Sequence, residues 1–197
     1  MSTVIAPSAT SPSLRESAAQ TFTRKVAIVV GASLFVAVAA HLSVPLPFTP
    51  VPLTLGDLAV LLVGLALSPL AALAALALYL AEGVSGLPFF SPTGPGGIAQ
   101  LFGPTGGYLL AYPLAAGMVS YLTKFLGRRM SAFAAAAVAC TAATALILSS
   151  GVAWISLAPH VGLAHAFTLG ALPFLPGGAI KIVAAAGIYA TLKTRKA

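Results

Sequence analysis

Acidic residues are nearly absent: the 197-residue chain holds three Asp and Glu against ten Lys and Arg, and charged residues make up only 7% of it. A soluble domain needs a charged shell. A chain that is 59% hydrophobic, with mean hydropathy +1.02, cannot hide its apolar surface in a core of this size, which points to an integral membrane protein. The shortage of carboxylates inside the apolar runs also argues against a self-sufficient ion-coupled transporter, which would need a proton relay. A single cysteine, Cys140, excludes an intrachain disulfide, and its Ala-rich surroundings suit a small buried apolar residue. His41, His160 and His165 have no Cys or acidic companion at ligand spacing, so no metal is expected. No Ser-His-Asp arrangement is readable, no glycine-rich stretch ends in Gly-Lys-Ser or Gly-Lys-Thr, and the chain is therefore neither a hydrolase nor its own ATPase. No cofactor is expected. The basic residues lie in short clusters beside apolar runs, without a basic stripe interleaved with aromatics, which excludes nucleic-acid binding.

What is present is a succession of apolar runs divided by loops of unusual composition. Residues 1–23 are rich in Ser, Thr, Ala and Pro without apolar periodicity and read as a disordered cytoplasmic tail, with room for a short helix near Leu14 to Phe22. Residues 24–197 read as a single membrane domain. Its apolar runs are 26–42, 53–67, 70–80, 107–126, 132–158 and 174–192; the second and third are short and are either two spans or a re-entrant hairpin broken at Ser68-Pro69. With six spans, Arg15, Arg24, Lys25, Lys124, Arg128, Arg129, Lys193, Arg195 and Lys196 all fall on one side. The expectation is an all-α, six-helix transmembrane bundle in the cytoplasmic membrane, surrounded by lipid, with both termini cytoplasmic. Three loops, 44–52, 83–106 and 159–173, then emerge together on the outer face. On the first helix, Ala27 with Gly31 and Ser33 with Ala37 are small residues four apart that would admit a close neighbour.

The stretch from Gly86 to Pro113 is dense in glycine and proline, uncharged, and flanked by apolar runs. Such a backbone cannot face lipid; it must be buried in protein or line a wet cavity. Gly106-Gly107-Tyr108 opens a helix within it, where glycines would let a ligand approach the main chain. The tenth basic residue, Lys181, lies inside the last apolar run just after Pro176-Gly177-Gly178, and an intramembrane cation marks a site by default. It could seat a carboxylate together with the helix start at Gly177 and Gly178, or pair with Asp57, the acid one turn into the second run. Asp57 could neutralise Lys181 or accept hydrogen bonds from substrate N–H groups. Gln100 and Thr105 add donors and acceptors, while Tyr108, Phe89, Phe90 and Phe48 offer apolar walls. Glu82 reads as a loop anchor or a solvated charge. Together these residues fit a pocket for a mostly apolar solute with a few fixed polar groups.

Four motifs stand in one order: Pro45-Leu46-Pro47-Phe48-Thr49-Pro50-Val51-Pro52-Leu53-Thr54-Leu55, Gly86-Leu87-Pro88, Gly103-Pro104-Thr105-Gly106-Gly107-Tyr108, and Leu172-Pro173-Phe174-Leu175-Pro176-Gly177 with Lys181. Over about residues 26 to 192 the chain resembles the BioY family, the biotin-binding S components of energy-coupling factor (ECF) transporters. The resemblance implies a six-helix subunit that captures biotin from outside and works with a transmembrane coupling subunit and two cytoplasmic ATPases. It also implies a Pro-Gly-Asp-x-x-Lys signature, met here by Pro176, Gly177 and Lys181 but with Gly178 where the aspartate stands, and a Thr-Leu-Gln-Thr stretch that here reads Thr54-Leu55-Gly56-Asp57. Asp57 is expected to supply, from a neighbouring helix, the charge that Gly178 lacks. An S component for another vitamin would share fold and partners and differ in pocket chemistry.

Overall fold

The computed structural model describes residues 12–158 and 160–195; residues 1–11 of the expected tail, Pro159 in the third loop, and Lys196 lie outside these. The elements run α1 (Pro12–His41), β1 (Ser43–Val44), β2 (Leu53–Thr54), α2 (Gly56–Ala66), α3 (Pro69–Val84), α4 (Gly97–Phe102), α5 (Gly106–Leu126), α6 (Ala132–Ser156), α7 (Leu163–Gly170), a 3-10 turn (Leu172–Phe174) and α8 (Leu175–Thr194). Helical backbone reaches back to Pro12, so part of the stretch read as a tail continues the first apolar helix. A long helix already nucleated by its apolar half extends cheaply through good helix formers such as Leu14, Glu16, Ala18 and Ala19.

Four stretches are long and apolar enough to cross a membrane: Gln20–His41, Gly106–Leu126, Ala132–Ser156 and Leu163–Thr194. The second and third apolar runs give shorter helices, α2 of 11 residues and α3 of 16, or roughly 16 and 24 Å at ~1.5 Å per residue. They part at Ser68-Pro69, where Ser68 is extended and Pro69 takes the first helical position, the one place where a missing N–H costs nothing. Ser120 on α5 donates to the carbonyl of Leu67 at 2.6 Å and so satisfies the end of α2 across the break.

In the order α1, α3, α5, α6, α8 each helix packs on the next, and α2 lies within this row, against α1, α5 and α8. The sequence explains why α2 can occupy the middle: Gly56, Ala59, Val60, Leu61, Val63 and Gly64 are all buried, and a Cβ on Gly64 would lie 2.7 Å from the Ala116 carbonyl of α5. Ser33 of α1 donates to Glu82 of α3, so Glu82 anchors two helices. Of the small residues on α1, Ser33 and Ala37 face the bundle, while Ala27 and Gly31 stay exposed.

One end of the bundle gathers the loops. The proline-rich segment is pinched at its base by a two-strand ladder, Ser43 opposite Thr54 and Val44 opposite Leu53, a small departure from an all-helical chain. Thr49 donates to the Leu169 carbonyl at 2.7 Å, which ties the first loop to the third, and Trp154 Nε1 of α6 donates to the Gly103 carbonyl at 3.0 Å, which ties the second loop to the bundle. α5 and α8 run away from this end, and Lys193 lies beside Gly127 at the opposite one. Gly107 is buried in the contact between α5 and α6, where Ser150 donates to its carbonyl at 2.8 Å and a Cβ would press on Trp154, while a Cβ on Gly106 would collide first with the Leu101 carbonyl of α4. Close helix packing, rather than room for a ligand, accounts for these two glycines.

Candidate functional site

The site starts at the first turn of α2. Thr54 Oγ1 accepts from the Gly56 N–H at 3.1 Å, which starts the helix and puts Asp57 in its first turn, where the helix dipole favours an anion. Two donors converge there, from two other helices. Tyr112 of α5 gives its hydroxyl to Asp57 Oδ1 at 2.6 Å. Lys181 of α8 reaches Oδ2 at 3.0 Å and also donates to the Thr54 carbonyl at 2.6 Å. The Lys181 side chain is 9% exposed and that of Asp57 is 35% exposed. The cation is thus the buried partner, and the carboxylate keeps lone pairs open to a cavity.

That cavity, with the open solvent at its mouth, takes in about 550 Å³ of empty space, and Asp57, Tyr79, Tyr108 and Tyr112 form much of its wall. Tyr79 stacks beside Tyr112 with ring centres 6.3 Å apart, and Phe90 meets the edge of Tyr79 at 5.6 Å. Tyr108 is fixed by its hydroxyl, which donates to the Gly170 carbonyl at 2.6 Å, and leans on Phe174. Gln100 and Thr105 also border the cavity. Gln100 is 3% exposed; its amide donates to Thr105 Oγ1 at 2.9 Å and its oxygen accepts from the Gly96 N–H at 3.2 Å. The arrangement is an aromatic box with an acceptor carboxylate at one end and a hydrogen-bonded amide and hydroxyls at the loop side.

Of the residues singled out in the sequence, Asp57, Gln100, Thr105 and Tyr108 line the cavity. Lys181 stands behind Asp57. Phe90 is buried below Tyr79, against Gly83, and Phe48 is 62% exposed on the proline-rich loop. Neither belongs to the wall. Gly177 faces Leu53, and Gly178 faces Thr144; the pairing of Lys181 with Asp57, and not with the start of α8, is the arrangement found. Tyr112, Tyr79 and the Thr54 carbonyl were not anticipated. Tyr112 carried a signal, since it lies four residues after Tyr108 and shares its helix face. Among the described residues no group of three or more His, Cys, Asp or Glu could hold a metal ion.

The Tyr112 hydroxyl has a charged acceptor in Asp57, so Tyr112→Phe is expected to lower stability by about 1.5–3 kcal/mol while retaining the stacked ring. Thermal unfolding in detergent measures this; an unchanged midpoint would contradict it.

The model of the BioY family matches residues 9–197. The chain belongs to the BioY family. Among BioY relatives, the "Probable biotin transporter BioY" of Pyrococcus horikoshii is 36% identical over 163 residues, 78% of this chain and 88% of the relative. The "Biotin transporter BioY2" of Lactococcus lactis is 36% identical over 149 residues, 75% and 78% of the two chains. A crystal structure described as the S-component for biotin from an ECF-type ABC transporter superposes with a TM-score of 0.79 at 22% identity, covering 89% of this chain and 93% of that one.

Proposed function

We propose that this chain captures biotin and takes it up across the cytoplasmic membrane as the substrate-binding S component of an ECF-type transporter. The observation that carries the reading is the acceptor carboxylate of Asp57, held by Lys181 and Tyr112 at the end of an aromatic box. Biotin matches it in kind: its ureido group brings two N–H donors, its bicycle and chain are apolar, and its carboxylate is a second, remote polar end. The ureido N–H groups go to Asp57. The ligand carboxylate, repelled by Asp57, lies toward Gln100 and Thr105 at the loop side. The names of the relatives support the same ligand.

In this reading six helices cross the membrane, α2 and α3 as short spans whose polar ends reach the interface. Both termini are cytoplasmic, and the loop end faces outward. The gathering of the loops at one end and of Lys124, Arg128 and Lys193 toward the other supports that orientation. The partners are a transmembrane coupling subunit and two cytoplasmic ATPases, because the chain carries no phosphate-binding loop of its own. Segments 44–52 and 83–106, already bonded to their neighbours, act as the lid.

Isothermal titration of the purified protein in detergent tests the ligand. Saturable binding of biotin and none of thiamin is expected, with the methyl ester of biotin binding within about tenfold, or 1.4 kcal/mol, of the acid. A folded protein that ignores biotin ends this reading; binding of biotin but loss of the ester reverses the orientation.

A further inference from the structure

Away from the cavity, a groove opens on the outer face of the bundle between the start of α3 and the second half of α5. Its apolar part is lined by Pro69, Leu70, Leu73, Leu114, Gly117 and Tyr121, and holds about 850 Å³ of empty space counted to its open side. Pro69 and Tyr121 also line an adjoining hollow that ends at Lys124, Phe125 and Arg128, so the two form one channel from mid-bundle to the basic end. Leu114 and Tyr121 are each 60% exposed, and Phe125 stacks on Tyr121 with ring centres 6.3 Å apart. At Gly117 the floor of the groove has no side chain.

Among the described residues the two cations at its end have no counter-ion. Asp57 is held by Lys181 and Glu82 by Ser33, and among the described residues no ion pair reaches Lys124 or Arg128. Neither of these two acids is free to complete them. We infer that this groove is a selective site for an anionic phospholipid, with an acyl chain along Leu73, Leu114 and Gly117 and the phosphate between Lys124 and Arg128. A guanidinium and an ammonium at the head-group level suit one phosphate, Arg as a fork and Lys as a point charge. Apolar width below and uncompensated charge above are what distinguish such a site from ordinary contact with lipid. The inference needs only that the helices span the membrane and is independent of the ligand in the central cavity.

Native mass spectrometry of the full chain, equilibrated in detergent with equal amounts of phosphatidylglycerol and phosphatidylcholine, tests it. One phosphatidylglycerol retained with roughly tenfold preference is expected, given the attraction of two basic residues for an anionic head group. The preference should vanish in Lys124→Gln/Arg128→Gln, and retention should fall in Gly117→Leu, whose side chain fills the groove while both cations stay. Lys193→Gln/Arg195→Gln should leave it intact. Biotin binding by each variant reports separately that the bundle is folded. Equal retention of the two lipids, or a preference that survives the double substitution at 124 and 128, overturns the site and leaves those cations to an acidic protein partner.

Discussion

Asp57→Asn is expected to be the most damaging single polar substitution in this chain, at about 3 kcal/mol of stability, the lower end of the range for breaking a buried ion pair. Lys181 is the better buried partner, so removing the carboxylate strands a cation whose remaining acceptor is the Thr54 carbonyl. The reverse change, Lys181→Met, should cost less because Asp57 keeps its bond from Tyr112 and its opening to the cavity. Asp57→Asn/Lys181→Met together should recover most of the loss, since neither charge is then left alone. Biotin binding should separate from stability: Asp57→Asn and the double variant should both lose about 100-fold or more, equivalent to about 2.7 kcal/mol, because the acceptor itself has gone. Gly178→Asp offers a rescue of stability in the Asp57→Asn background. Residue 178 precedes Lys181 by three positions on α8, and a Cβ there meets only Thr144 at an ordinary 3.5 Å. Thermal unfolding and calorimetry on this set decide the matter. A double variant as unstable as Asp57→Asn would sink the counter-ion argument, and an Asp57→Asn protein that binds biotin normally would remove the carboxylate from the site.

The second large effect is expected at a residue with no polar atom in its side chain. Gly151 on α6 lies under the Tyr108 ring, and any Cβ there overlaps it. In Gly151→Val the helix can continue, but the ring must swing toward the cavity and give up its bond to Gly170. Overpacking of this kind costs about 1–3 kcal/mol, and the displaced ring occupies ligand space, so biotin affinity should fall by roughly 100-fold. Adding Tyr108→Ala should restore stability by removing the overlap while leaving binding weak, because the aromatic wall is then missing. If Gly151→Val binds as the parent does, Tyr108 does not border the bound ligand.

The last three apolar runs were legible to within two residues, since α5 starts one position before the expected run and α6 ends two before it, whereas α1 begins fourteen residues early, at Pro12, and α3 runs four further, to Val84. Composition alone revealed the membrane, and the isolated Lys181 and Asp57 stood out because charge is so scarce. What could not be read was arrangement. That α2 lies in the middle of the bundle follows from Gly56 meeting Ala40 of α1 and Gly64 meeting Ala116 and Val119 of α5, a tertiary fact with no period of its own. Phe48 and Phe90 were grouped with the pocket as aromatics near a loop. One faces outward and the other packs below Tyr79, a difference set by contacts far apart in the chain. The pairing of Gly107 with Ser150 and Trp154 was hidden for the same reason, so glycines that read as ligand approach proved to be helix contact.

The ion pair between Asp57 and Lys181 spans 124 residues, and this separation bears on how the protein is made. A ribosome adding about 5–20 residues per second needs roughly 6–25 s to travel between them. During that interval the nascent chain carries the carboxylate without its counter-ion, which arrives only with α8. Until residue 181 has been made, only the Tyr112 hydroxyl of α5 holds the carboxylate, so the ion pair at the centre of the bundle is among the later contacts to form.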